Sequence, residues 1–151
     1  GACVYGVGAC VYGNPMILVS AKSLGFGFGI KDLGTGLDNK LIFLNISFVS
    51  REDCIRQLRP EFEARNVRDW TPKPSEICAG GDPTKDTCRG EGGAPLVCYD
   101  EDFDQFYLMG LVGYGFKCNE GKPGVYTNMA DPGVQEFVKS SFGVNNAFCK
   151  K

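Results

Sequence analysis

"DTCRGEGGAPLVC", residues 86–98, decides how the rest of this chain is read. Glycines at 90, 92 and 93 punctuate a loop of the kind that presents one side chain between glycines, yet the presenting position, Gly92, has none. The loop runs into "APLVCY" (94–99), whose apolar and aromatic residues predict a strand. The acidic turn "DEDFDQ" (100–105) and a second strand in "FYLMGLVGYG" (106–115) complete a predicted hairpin.

Upstream, "MILVS" (16–20) predicts a short buried strand and "LGFGFGIKDLGTGLDNK" (24–40) a turn-rich loop. "LIFLNISFVS" (41–50) predicts one strand of β-branched and aromatic residues. In "SREDCIRQLRPEF" (50–62) the Ser50 hydroxyl can cap a helix, with Asp53 in the third helical position and able to reach back. Ile55 and Leu58 give that helix an apolar side, and Pro60 with the Pro72/Pro74 pair predicts that it is short. Downstream, "GVYTNM" (124–129) predicts a further strand. "PGVQEFVKSSF" (132–142) sets Val134, Phe137, Val138 and Phe142 at helical spacing behind a proline. Short strands, frequent glycine and long connections predict a mainly-β barrel or sandwich with one short internal helix and one C-terminal helix.

The first thirteen residues, "GACVYGVGACVYG", hold the hexapeptide Gly-Ala-Cys-Val-Tyr-Gly twice with one valine between. Two copies are too few for a solenoid. A disulfide-tethered, glycine-rich arm over 1–15 and a binding motif are the two readings. The expected organisation is that arm, a barrel over 16–143 and a tail over 144–151.

With 151 residues, 43% hydrophobic and 23% charged, the chain has the size and composition of one soluble globular domain. Sixteen basic against eighteen acidic residues, with no long run of either sign, point away from nucleic acid and from a polybasic membrane anchor. No apolar run approaches the roughly 20 residues of a membrane span. The chain opens at Gly1 without a charged n-region, so any signal peptide is expected to be absent already. Eight cysteines and no histidine fit four disulfides and an oxidising, extracellular or secretory-lumen setting. Zinc is the competing reading, but there is no Cys-x-x-Cys pair and no imidazole to complete a site. No metal and no cofactor is expected. A serine or cysteine nucleophile usually needs an imidazole as general base, and these residues contain none.

Asn45-Ile46-Ser47 is a glycosylation sequon inside the strand pattern. Local alternation leaves open whether Asn45 faces solvent.

Five separated stretches resemble, in order, the second half of a trypsin-like serine protease domain. They are "GFG" (27–29), "FVSREDC" (48–54), "EICAGGDPTKDTCRGEGGAPLVC" (76–98), "GLVGYGFKC" (110–118) and "GKPGVYTN" (121–128). The resemblance implies a trypsin-like Greek-key β-barrel, the second barrel of that family. It also implies disulfides from Cys54 to Cys78 and from Cys88 to Cys118. For Cys98 the family's usual partner position, just before the Gly-Trp-Gly segment, has no cysteine at 18–24. Cys10 or Cys3 then stands as its partner, leaving the other for Cys149, and the choice stays open.

In that family a serine attacks the substrate two residues after a glycine whose N–H lines the oxyanion hole. The matching positions here are Gly92 and Gly90. Losing the serine from such a triad costs on the order of a million-fold in kcat, about 8 kcal/mol of barrier. The family's base and its aspartate come from a first barrel, and neither its histidine-bearing segment nor its Ile-Val-Gly-Gly start is found in these residues. The expectation is a chain without catalysis by this mechanism. Glu91 stands for the aspartate that pairs with a new N-terminus, Ala94 for a glycine, Gly113-Tyr114-Gly115 for Ser-Trp-Gly, and Phe137 for the tryptophan of the closing helix. Asp86 matches the carboxylate at the base of a trypsin-type specificity pocket, and Gly115 and Gly124 its small wall residues. An arginine or lysine guest would suit such a pocket; an inherited Asp86 paired with Lys85, Arg89 or Lys117 is the plainer reading.

Glycine in place of the serine is the substitution of arthropod clip-domain serine protease homologues. That resemblance implies a secreted, non-catalytic cofactor or adaptor in an innate-immune cascade of the prophenoloxidase type. Its partners would be extracellular proteins, among them protease or prophenoloxidase zymogens. The alternative is a fragment of a larger homologue with no function of its own. A hydrolase built on carboxylates such as Asp86, Glu91 and those at 100–104 is disfavoured, since no pair is recommended by spacing.

Overall fold

The structure is a computed structural model and describes residues 16–19, 42–84, 92–100, 104–116 and 120–142. The expected arm, the loop at 24–40, the tail, and Cys3, Cys10, Asp86, Cys88, Gly90, Glu91, Cys118 and Cys149 lie outside them.

The elements run β1 (Met16–Val19), β2 (Ile42–Asn45), β3 (Phe48–Val49), α1 (Arg51–Glu63), β4 (Glu76–Gly80), β5 (Pro95–Asp100), β6 (Gln105–Tyr114), β7 (Pro123–Asn128) and α2 (Pro132–Phe142). All strand pairs are antiparallel, and the sheet order is β2-β1-β5-β6-β7-β4-β3. The two outermost strands, β2 and β3, are neighbours in sequence, separated only by Ile46 and Ser47. A flat sheet of this many strands would hold its edges about 29 Å apart at roughly 4.8 Å per step. The link from 45 to 48 spans at most about 10 Å. The sheet therefore curls on itself, and the fold is the trypsin-like barrel that the resemblance implies.

The single strand expected over 41–50 is thus two. Ile46 leaves the ladder to enter the core at 3% exposure, and the Ser47 carbonyl accepts from the Gly80 N–H at 2.8 Å. Pro60 does not end α1, which continues to Glu63. Side chains on both sides of the proline anchor the helix: Cys54 is disulfide-bonded to Cys78, Leu58 is fully buried, and Phe62 stacks on Trp70 at 4.3 Å. The Ser50 cap forms as expected, its oxygen accepting from the Asp53 N–H at 3.1 Å and its hydroxyl donating to the Asp53 carboxylate at 3.0 Å. Strand β4 was not anticipated by periodicity.

Its burial explains why. One core cluster holds Ile46, Ala79, Leu96 and Tyr126; a second holds Cys54, Leu58, Cys78 and Val125. Successive residues of β4 and β7 alternate between the two, so these strands have a barrel core on one face and α1 on the other. Strands buried on both faces lose the apolar–polar alternation that marks a strand in sequence. Gly110 in β6 is required by packing: a Cβ there would stand 2.8 Å from the Thr127 carbonyl oxygen. In α2, Val134 and Val138 are half-buried, while Phe137 is 70% exposed.

Candidate functional site

The loop that carries Gly92 is anchored from its C-terminal side. Gly93 N–H donates to the Val112 carbonyl at 2.8 Å, and Val112 N–H to the Ala94 carbonyl at 2.9 Å. These bonds pin the turn to β6 just before Gly113-Tyr114-Gly115. Gly93 has φ +85°, a conformation that side-chain-bearing residues rarely adopt. Gly92 differs: its backbone is ordinary, it is exposed, and a Cβ built on it meets nothing within 4 Å. Glycine at 92 is therefore a chemical difference that neither backbone strain nor crowding among the described residues imposes.

On the facing ladder, β6 pairs with β7 through Val112↔Tyr126 and Tyr114↔Val125, with an irregularity between the two pairs. A Cβ on Gly113, the residue skipped, would lie 3.0 Å from the Val125 carbonyl oxygen. Beyond it Gly115 and Gly124 come together, a Cβ on Gly115 lying 3.7 Å from the Gly124 Cα. A Cβ on Gly124 would stand 3.2–3.5 Å from the Tyr126 ring. The structure thus sets Gly115 and Gly124, the two glycines that the resemblance assigns to a pocket wall, side by side, next to the strand that anchors the 92–94 turn. Asp86 and Gly90 lie outside the described residues.

Tyr114 and Phe116, on either side of Gly115, belong to a cluster that sequence reasoning missed. Phe62 of α1 stacks on Trp70 with ring centroids 4.3 Å apart and meets Phe116 edge-on at 5.0 Å and Tyr114 at 6.3 Å. The Arg65 guanidinium lies over the Phe116 ring at 4.5 Å, and Arg59 Nε donates to the Trp70 carbonyl at 3.3 Å. The Tyr114 phenol is held above its ordinary value of 10.0, by burial first and by the Glu76 carboxylate second, while a hydrogen bond with Trp70 pulls the other way. The signal available in sequence was only four aromatics on either side of a long gap. Lys122 completes the tie between α1 and the start of β7, donating to the Gln57 carbonyl at 3.4 Å and lying 3.7 Å from Glu61.

Cys54 and Cys78 form a disulfide with Cα atoms 6.1 Å apart, both residues buried. Cys98 is also disulfide-bonded, to a cysteine outside the described residues. Among the described residues, no three His, Cys, Asp or Glu side chains stand where they could hold a metal ion. A cleft of about 150 Å³ lies between Phe48, Arg51, Pro72, Lys73 and Glu76, and none of its lining residues belongs to the 92–94 turn.

The sequence profile described as Trypsin matches residues 12–134. This chain belongs to the trypsin family. Among the relatives of this family member is the Inactive CLIP domain-containing serine protease A3 of Aedes aegypti, 46% identical over 89 residues, which are 58% of this chain and 18% of that protein. CLIP domain-containing serine protease B8 of Anopheles gambiae is 41% identical over 88 residues, 57% of this chain and 20% of that protein. Phenoloxidase-activating factor 2 of Galleria mellonella is 38% identical over 90 residues, 58% of this chain and 29% of that protein. The trypsin-family chain described here thus spans between 18% and 29% of the length of these relatives.

Proposed function

We propose that this trypsin-family chain is non-catalytic and acts by binding proteins in an extracellular proteolytic cascade of the prophenoloxidase-activating type. The observation that carries this reading is Gly92. It follows Gly90 at the spacing of the family's oxyanion glycine and nucleophile, and it offers no atom that can attack or carry an acyl group. Among the described residues nothing crowds a Cβ there, so its glycine reads as chemistry given up. The names of the relatives agree in kind: one is called inactive and another a phenoloxidase-activating factor. With no covalent step available, the loops around the former cleft act by surface recognition. The disulfide and the cysteine content support an oxidising compartment.

Two measurements test the reading. A fluorophosphonate probe, which labels an activated serine, should leave the purified chain unlabelled; a covalent adduct mapped to residues 86–98 would overturn the non-catalytic half. Affinity capture from arthropod haemolymph should recover a protease or prophenoloxidase zymogen. Specific capture of proteins unrelated to any proteolytic cascade would overturn the other half.

A further inference from the structure

The sequon at Asn45-Ile46-Ser47 is the one N-glycosylation acceptor sequence in the chain. Local alternation could not place it, but the ladder registers do. In β5, Leu96 and Cys98 are buried at 0% and 1%, while Val97 between them is only half-buried. Leu96 and Val97 therefore mark the inner and outer faces of the barrel wall. Ile17 is the register partner of both Leu96 and Leu44, and Met16 of both Val97 and Asn45. Residues directly opposite one another in an antiparallel ladder share a face. Carried across three strands, the register puts position 45 on the outer face with Val97. The next residues agree independently: Ile46 is 3% exposed and packs in the same cluster as Leu96, and Ser47 is exposed. Asn45 is also the last residue of β2, where the chain leaves the ladder.

We propose that Asn45 carries an N-linked glycan on the outside of the barrel. The proposal rests on the extracellular reading above only in that the chain must pass through the secretory lumen. There the Asn45 side-chain nitrogen forms a bond to the anomeric carbon of a lipid-pyrophosphate-linked oligosaccharide. The bond from that carbon to the pyrophosphate oxygen breaks, the lipid pyrophosphate leaves with the electron pair, and the amide nitrogen gives up one proton. The hydroxyl residue two positions on, Ser47, completes the acceptor sequence. A polar sugar on the inner face would have to be buried at prohibitive cost; on the outer face that cost does not arise.

The test expresses the chain behind a supplied secretory leader in insect cells, so that entry to the lumen does not depend on the cascade reading. Treatment with peptide N-glycosidase should raise mobility by a single step and leave aspartate at position 45 in the peptide map. Asn45→Gln and Ser47→Ala should each abolish the step, and Ser47→Thr should keep it, which separates loss of the acceptor from misfolding. Material retained in the cell is read in the same way wherever the Cys54–Cys78 bond shows that it reached the lumen. Unmodified Asn45 in chain that has formed this disulfide would overturn the proposal while leaving the binding function untouched.

Discussion

Where β7 runs beneath α1, every residue from Pro123 to Tyr126 is buried, and a disulfide, a fully buried leucine and the edge contact of Phe62 with Tyr114 hold helix to sheet. At the 92–94 turn, bonded to β6 at Val112, the ladder partner of Tyr126, Gly92 and Gly93 are exposed, and among the described residues a Cβ on either meets nothing within 4 Å. The braced side leaves no room for change, because each group there is packed on two sides. The turn leaves room for a side chain and has none. Stability lives on the first side. On the second, no described residue crowds a side chain at position 92.

Three variants break or sharpen that contrast. Leu58→Ala removes a fully buried side chain from under α1 and should cost about 2–5 kcal/mol, the range for a leucine truncated in a packed core. A lowered urea midpoint at unchanged slope would show it; a midpoint that hardly moves would mean that α1 is not the brace described here.

Tyr114 sits at the junction of the two sides, and its effect is smaller and depends on pH. Its folded-state value lies above the ordinary 10.0, so above that pH the folded chain binds more protons than the unfolded one. Stability from this group is therefore complete below about pH 10 and declines as pH rises toward the folded value. Tyr114→Phe should remove this part of the alkaline decline in thermal midpoint; identical alkaline profiles for the two proteins would refute the burial and Glu76 argument.

Gly92→Ser should be nearly silent, changing stability by no more than about 0.5 kcal/mol, because no described residue stands within 4 Å of a Cβ there and the backbone is unstrained. A large loss would show that the turn tolerates only glycine, and the contrast would fail. The same variant should hydrolyse no arginine amide substrate, since the chain holds no histidine to take the proton.

What could be read from the residues alone was whatever depends on near neighbours. The hairpin of β5 and β6, the bounds of α2 and the Ser50 cap follow from periodicity, turn residues and one hydroxyl at a helix start. The presence of Gly92 at the presenting position is likewise a matter of sequence, and the five ordered segments were enough to indicate the family. What depended on distant partners was not legible. The split of 41–50 into two strands arises because the closing barrel needs Asn45 on one edge and Phe48 on the other. Pro60 stays helical because Leu58 and Phe62 are held by residues far along the chain, a constraint that outweighs the missing hydrogen bond. Strand β4 hides because both its faces are buried. Local alternation left the face of position 45 open, and its register runs through Met16 to Val97, some fifty residues away in sequence. Periodicity reports which residues are apolar, and only pairing across the sheet tells which side of the wall each one occupies.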